Sequence, residues 1–149
     1  MTAEELLERY AAGERNFDGV DIRGSEELAS ANLRGITLTN SFLNEIFMDK
    51  IDLSGANLSG TNFAQSSMAG ANLKRANLSR ANLQYVDLRA SDFTDAILID
   101  ACLMTATMYD VNLTRANLTN AEVNEDFLVE SKILSNTIMP DGTKIISFF

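Results

Sequence analysis

The chain contains no histidine and no tryptophan, and only one cysteine and one proline. Without histidine there can be no Ser-His or Cys-His nucleophile pair and no His-based metal site. A lone cysteine, Cys102, excludes an internal disulfide. No apolar run approaches the roughly 18 residues of a membrane span, and the N-terminus is acidic, without the apolar core of a leader peptide. The expected location is therefore the cytoplasm, with no membrane partner. Carboxylates are plentiful but none is paired apart from a solvated surface, and no glycine-rich phosphate loop is present. The reading is that the protein is not an enzyme and has no catalytic residue, metal or cofactor.

What the chain does have is a five-residue repeat, clearest from Ala71 to Leu88 (ANLKR ANLSR ANLQY VDL). Its apolar centres fall every fifth residue from Leu33 through Leu53, Leu73, Phe93 and Leu113 to Ile133 and Ile138, and none is polar. Two residues before each centre the chain is usually small, as at Ala56, Ser66 and Ala76. The position between is often Asn or Asp, as at Asn57, Asn77 and Asp87. On a helix of about 3.6 residues per turn such centres drift and never form one stripe. In an extended strand an odd period flips each centre to the opposite face. The chain must turn a corner in every unit, which is the reading for a short-period solenoid.

The frame resembles the pentapeptide repeat family, whose motif reads A-(D/N)-L-x-x, over roughly residues 16–140. The resemblance implies an all-β, right-handed quadrilateral β-helix in which four units make one coil. Residues twenty apart then stack at about 4.8 Å, giving about six coils and roughly 30 Å of shaft. The column Leu28, Met48, Met68, Leu88, Met108, Leu128 is read as core filling, for which the flexible Met side chain is suited. One domain is expected over 1–149: a capping helix over 1–13, a solenoid over 14–140 and a closing segment over 141–149.

Read in order, Thr2 and Glu5 form a capping box, Leu6, Leu7 and Tyr10 share a helix face, and Gly13 supplies the stop. This helix covers the open end of the first coil; a partner-docking helix is the alternative. The frame slips by one residue after Ile22, with Ser25, Glu26 and Glu27 as the bulge. Ile36, Ile46 and Ile51 stand where small residues are usual, so that coil is expected to be wider. Phe42 and Phe47 stand where Asn or Asp is usual and point outward, either under the N-terminal segment or into solvent. Gly35, Gly55, Gly60 and Gly70 are corners. Asp126 and Asn136 fall at inward positions, so the last coil is expected to be distorted or open there.

Three surface features are candidates for function. Ile97, Ile99, Met104 and Tyr109, with Cys102 and with Val129 one coil beyond Tyr109, are outward apolar residues and form the candidate interaction surface, spread over three sides. Lys74, Arg75, Arg80 and Arg89 form a belt that could take an anion or acidic partner, or be simply a solvated face. After the Pro140-Asp141-Gly142 turn, the tail with Ile145, Ile146, Phe148 and Phe149 either closes the solenoid or joins two copies.

Some members of the resembling family act as DNA mimics on a type II topoisomerase, and a net charge of −9 invites that comparison. Residues 1–27 hold eight acids and three bases, residues 28–121 eight and seven, and residues 122–149 five and two. The acid lies at the ends, whereas a mimic of duplex DNA presents closely spaced charge along its length. The expected function is a non-catalytic interaction or scaffold module whose partner is another protein, with no direct nucleic-acid binding, acting as a monomer or homodimer. The DNA-mimic modulator of a topoisomerase such as DNA gyrase is the alternative.

Overall fold

The structure is a computed structural model and describes residues 1–24, 26–124, 126–131 and 134–146. It is a β-helix solenoid held by single parallel bridges between residues twenty apart: Asn32 to Asp52, Asp52 to Asn72, Asn72 to Asp92 and Asp92 to Asn112 on one side, with equivalent ladders on three others. Naming the sides by their inward centres, side one carries Leu33, Leu53, Leu73, Phe93 and Leu113. Side two carries Leu38, Leu58, Leu78 and Leu98, side three Leu43, Phe63, Leu83 and Leu103, and side four Leu28, Met48, Met68, Leu88 and Met108. Every one of these side chains is buried, the methionines included, so the interior is a continuous apolar column.

The five-residue period has a local cause at each corner. The amide two residues before a centre donates to the carbonyl of the preceding centre, as Ala56 does to Leu53 at 3.1 Å and Ala76 to Leu73 at 3.1 Å. The third residue of that turn has positive φ, as at Gly55 (+67°), Arg75 (+59°) and Ala90 (+58°), while the second does not, which makes these type II turns. Among the described residues, sixteen non-glycine residues are held in this left-handed region, against a cost of about 1 kcal/mol or more for those other than Asn and Asp. The inter-coil ladder over-determines them: Arg75 N–H, for example, donates to Thr94 O at 2.9 Å.

The Asn or Asp before each centre also has a physical role. Its side-chain oxygen accepts the amide hydrogen two residues on, at the one point in the unit where the backbone ladder offers no acceptor. Asn72 takes Lys74 N–H at 3.2 Å, Asp92 takes Thr94 N–H at 2.9 Å, and Asn117 takes Thr119 N–H at 3.1 Å. Small hydroxyl residues are tolerated inward because they bond to a carbonyl of the preceding coil, as Ser66 Oγ does to Leu43 O at 2.7 Å.

Helix α1 (Ala3–Ala11) has the expected capping box, and Leu6 is buried. Its Ala3 N–H donates to Glu26 at 3.2 Å and Tyr10 Oη donates to Arg34 O at 2.8 Å, which bring the helix against the first coil. Leu7 departs from expectation: it is 36% exposed, because Ala3 and Leu6, with the partly buried Tyr10, supply the inward stripe. The frame slip after Ile22 is present. Asp21 bridges Phe42, twenty-one residues on, whereas Glu27 bridges Phe47, twenty on. Ser25, the first residue of the expected bulge, lies outside the described residues. Ile36, Ile46 and Ile51 are fully buried in the positions that elsewhere hold small residues.

The last coil corrects the sequence reading. Asn117 bridges Ile138, twenty-one residues on, so the frame slips once more after Glu122. The inward residues are therefore Leu134 and Met139, not Ile133 and Ile138; Ile138 sits on the ladder, and Ile133 lies outside the described residues. Asp126 is exposed at the head of a short helix, α2 (Phe127–Glu130), which the repeat does not foretell and whose Glu130 carbonyl accepts the Asp110 amide hydrogen of side four. Asn136 is not inward either. It occupies a left-handed corner at φ +57°, a conformation asparagine tolerates well. Strand β1 (Thr137–Ile138) pairs antiparallel with β2 (Lys144–Ile145), with Thr137 opposite Ile145.

Candidate interaction face

The interior of the solenoid is filled, so chemistry is confined to its outer faces. Three outward positions per side stack into rows along the axis: the residue before each centre, the one after it, and the corner. Sorting the charged residues from Arg15 to Glu122 by side separates the molecule into halves. Sides three and four carry eight carboxylates and three cations, whereas sides one and two carry five carboxylates and six cations.

The exposed aromatic rings fall on sides three and four, whereas the exposed Ile97 is on side two. Phe42 (46% exposed) is on side three, Phe47 (55%) on side four, Tyr85 (62%) at the corner between them, and Tyr109 (56%) again on side four. Side one has none among the described residues. By the strand spacing, three coils and about 14 Å separate the first of these rings from the last. The coil between Phe47 and Tyr85 presents only short or neutral groups on these sides: Asn62, Ala64, Gln65, Ser67, Ala69 and Gly70.

At the N-terminal end of this half one ring is already engaged. The Arg23 guanidinium lies 5.4 Å from the centroid of Phe42 and also grips Asp21 through two bonds, at 2.7 and 2.5 Å. That pairing holds the Asp21 carboxyl below its usual range. Asp21 and Phe42 are bridge partners on side three, and Arg23 links the carboxylate of one coil to the ring of the next.

The sequence-derived candidate surface does not form one patch. Ile97 (39% exposed) and Ile99 are on side two, Met104 is on side three and Tyr109 on side four. Ile99, Met104 and Cys102 are half-buried. Because Ile97, Cys102 and Thr107 replace the usual Asn or Asp, the amides of Ile99, Met104 and Tyr109 have no acceptor among the described residues. The Val129 side chain lies outside the described residues. Tyr85 is the ring that the chain-order reading missed; counting in twenties from Glu45 through Gln65 would have placed it beside the other rings.

The basic belt is similarly dispersed. Lys74 and Arg75 are on side one, Arg80 on side two and Arg89 on side four. Lys74 Nζ is 3.5 Å from Asp92, and Arg89 grips Asp87 at 2.6 Å, holding that carboxyl below its usual range. Half the belt is thus neutralised by acids of its own surface. In the tail, Ile145 is half-buried on β2 and lines an open groove of about 440 Å³ with Met139, Pro140, Asp141 and Thr143, and Ile146 is 70% exposed. Phe148 and Phe149 lie outside the described residues. Among the described residues no three His, Cys, Asp or Glu side chains gather as a metal site, and no helix is long and apolar enough to cross a membrane.

A family model described as pentapeptide repeats matches residues 31–70 and 71–110, in eight copies. Among solved structures, the chain is similar to a pentapeptide repeat protein of the cyanobacterium Cyanothece 51142, at 26% identity over 75% of this chain and 86% of that one, with a TM-score of 0.49. It is also similar to a pentapeptide repeat protein of the Arabidopsis thaliana thylakoid lumen (21% identity, 72% and 74% covered, TM-score 0.48). A third is QnrB1, a plasmid-mediated fluoroquinolone resistance protein (13% identity, 78% and 90% covered, TM-score 0.32). No curated protein matches the chain significantly.

Proposed function

The chain belongs to the pentapeptide repeat family, and we propose that it works as a non-catalytic interaction or scaffold module that binds another protein through the outer face of its solenoid. The proposed molecule is a right-handed shaft of about six coils, capped by α1 and located in the cytoplasm. The observation that carries the reading is the one-sided exposure of Phe42, Phe47, Tyr85 and Tyr109 among carboxylates. Exposed rings are costly in water and enriched at binding surfaces, and here they share one half of a rigid rod.

The test is affinity capture from a native lysate with identification by mass spectrometry, using wild type beside a Tyr85→Ser, Tyr109→Ser variant of unchanged melting temperature. A specific protein captured by wild type and lost by the variant supports the reading; identical captures, or none, overturn this face as the site.

A second reading, a DNA-mimicking modulator of a type II topoisomerase such as DNA gyrase, draws on the acidity of sides three and four. Against it, those sides carry no net charge from Gly60 to Ala90, about two coils, where duplex DNA would present a charge every 1.7 Å or so. A supercoiling assay separates the two: inhibition at stoichiometric protein favours the mimic, and no effect favours the module.

A further inference from the structure

Two neighbouring sides of the first coils each bridge an acidic residue to an exposed phenylalanine, but only one of them supplies a cation two residues after the acid. On side three, Asp21 and Phe42 are parallel bridge partners, and Arg23, two residues after Asp21, pairs with the acid and lies over the ring. On side four, Glu27 and Phe47 are parallel bridge partners, and the residue two after Glu27 is Ala29. Glu27 and Phe47 are both exposed, and neither has a cationic partner among the described residues.

We propose that the Glu27–Phe47 pair is a seat for an arginine side chain of a partner protein, held as Arg23 is held between Asp21 and Phe42. This rests on the interaction function proposed above and names the chemistry of the partner. A planar guanidinium can pair with a carboxylate through its N–H groups while its face lies on an aromatic ring; an ammonium does these less well together. The reach is demonstrated within the chain, since both Arg23 and Arg89 pair with the carboxylate two residues before them. The surroundings favour the same occupant. Glu45 and Asp110, on the same half, have no ion-pair partner among the described residues and would attract further cations of an arginine-bearing segment laid along the rings. The segment's remaining side chains would cross the short-side-chain coil that carries Ser67 and Ala69.

The decisive variant fills the seat from within. Ala29→Arg should pair with Glu27 and cover Phe47, leaving the fold intact and the melting temperature unchanged or raised. The probe is an alternating Arg-Ser octapeptide, followed by NMR amide shifts. Expected are shifts centred on Glu27, Ala29 and Phe47, and an affinity lowered about tenfold by Ala29→Arg, by Glu27→Gln or by a Lys-Ser peptide. Shifts spread evenly over both acidic sides, equal affinities for all variants, or no shift at all would overturn the seat. Failure of the seat is distinguishable from failure of the interaction function. A captured protein retained by Ala29→Arg but lost on Tyr85→Ser, Tyr109→Ser leaves the function standing and removes the seat.

Discussion

Along side one the residues before the centres are Asn32, Asp52, Asn72, Asp92 and Asn112; along side four they are Glu27, Phe47, Ser67, Asp87 and Thr107. On side one every such residue accepts the amide hydrogen two residues on, at 2.9–3.3 Å. On side four only Asp87 does so, although Asp49 serves Ala69 from the coil before. The interiors do not differ in this way: both sides bury an unbroken apolar column. The comparison separates two demands on one repeat. The centre is required by burial on every side, whereas the Asn or Asp is a local staple, and a side that gives it up can display other chemistry outward.

The largest expected effects are those in which the two sides should be the same. Phe93→Ala on side one removes a fully buried ring and should cost about 3–5 kcal/mol; Met68→Ala on side four should cost about 2–5 kcal/mol. Urea unfolding measures both. A side-four loss well under 1 kcal/mol would break the claim that the interior is common to both.

Corners come next. Gly55, at φ +67°, has nothing within 4 Å of an added Cβ, so Gly55→Ala tests backbone strain alone and should destabilise by about 1 kcal/mol. Ala90→Gly, at φ +58° on side four, should act with the opposite sign. Its gain is reduced by the 0.4–1 kcal/mol or so of extra unfolded-state entropy, leaving it between neutral and mildly stabilising. Thermal melts that ranked the two in reverse would show that the ladder, not φ, sets the corner.

The staple itself is worth somewhat less and discriminates the sides most directly. Asn72→Ala leaves the Lys74 amide without its acceptor and should cost about 1 kcal/mol. Thr107→Asp supplies an acceptor for the Tyr109 amide and should gain about 0.5 kcal/mol. Equal and negligible effects at both positions would remove the staple as the reason for the Asn/Asp preference.

Most of the fold is legible in the sequence because burial dictates it unit by unit. The last coil was misread for a physical reason: Ile133-Leu134 and Ile138-Met139 offer an apolar residue in either of two registers, so hydrophobicity cannot choose. What decides is Asn136, which suits the left-handed corner, and Thr137, whose hydroxyl turns inward to Leu113 O at 2.6 Å. The candidate face was legible only in part. Tyr109 was found among neighbours in sequence, but its association with Phe42, Phe47 and Tyr85 is a property of the twenty-residue stack. Helix α2 left no mark in the five-residue pattern, which simply decays there.

The smallest expected effect concerns acid. Arg115 holds Asp95 below its usual carboxylate range from one coil away, and Arg89 does the same for Asp87 from within its own unit. A carboxyl whose folded pKa is depressed adds stability above its unfolded value, and that stability is lost as pH falls through the folded one. Both pairs should therefore lose their contributions below about pH 4. Asp95, Arg115 and Arg89 are exposed and Asp87 is half-buried, so the losses are small and shrink further in high salt. They should not be equal. Asp87 and Arg89 are two residues apart and remain neighbours in the unfolded chain, so part of their attraction survives unfolding. Asp95 and Arg115 meet only when coils stack. Asp95→Asn should consequently flatten the melting temperature between pH 5 and pH 2, roughly, more than Asp87→Asn does. The reverse order would mean that the acid sensitivity of the solenoid resides in its local turns and not in the contacts between coils.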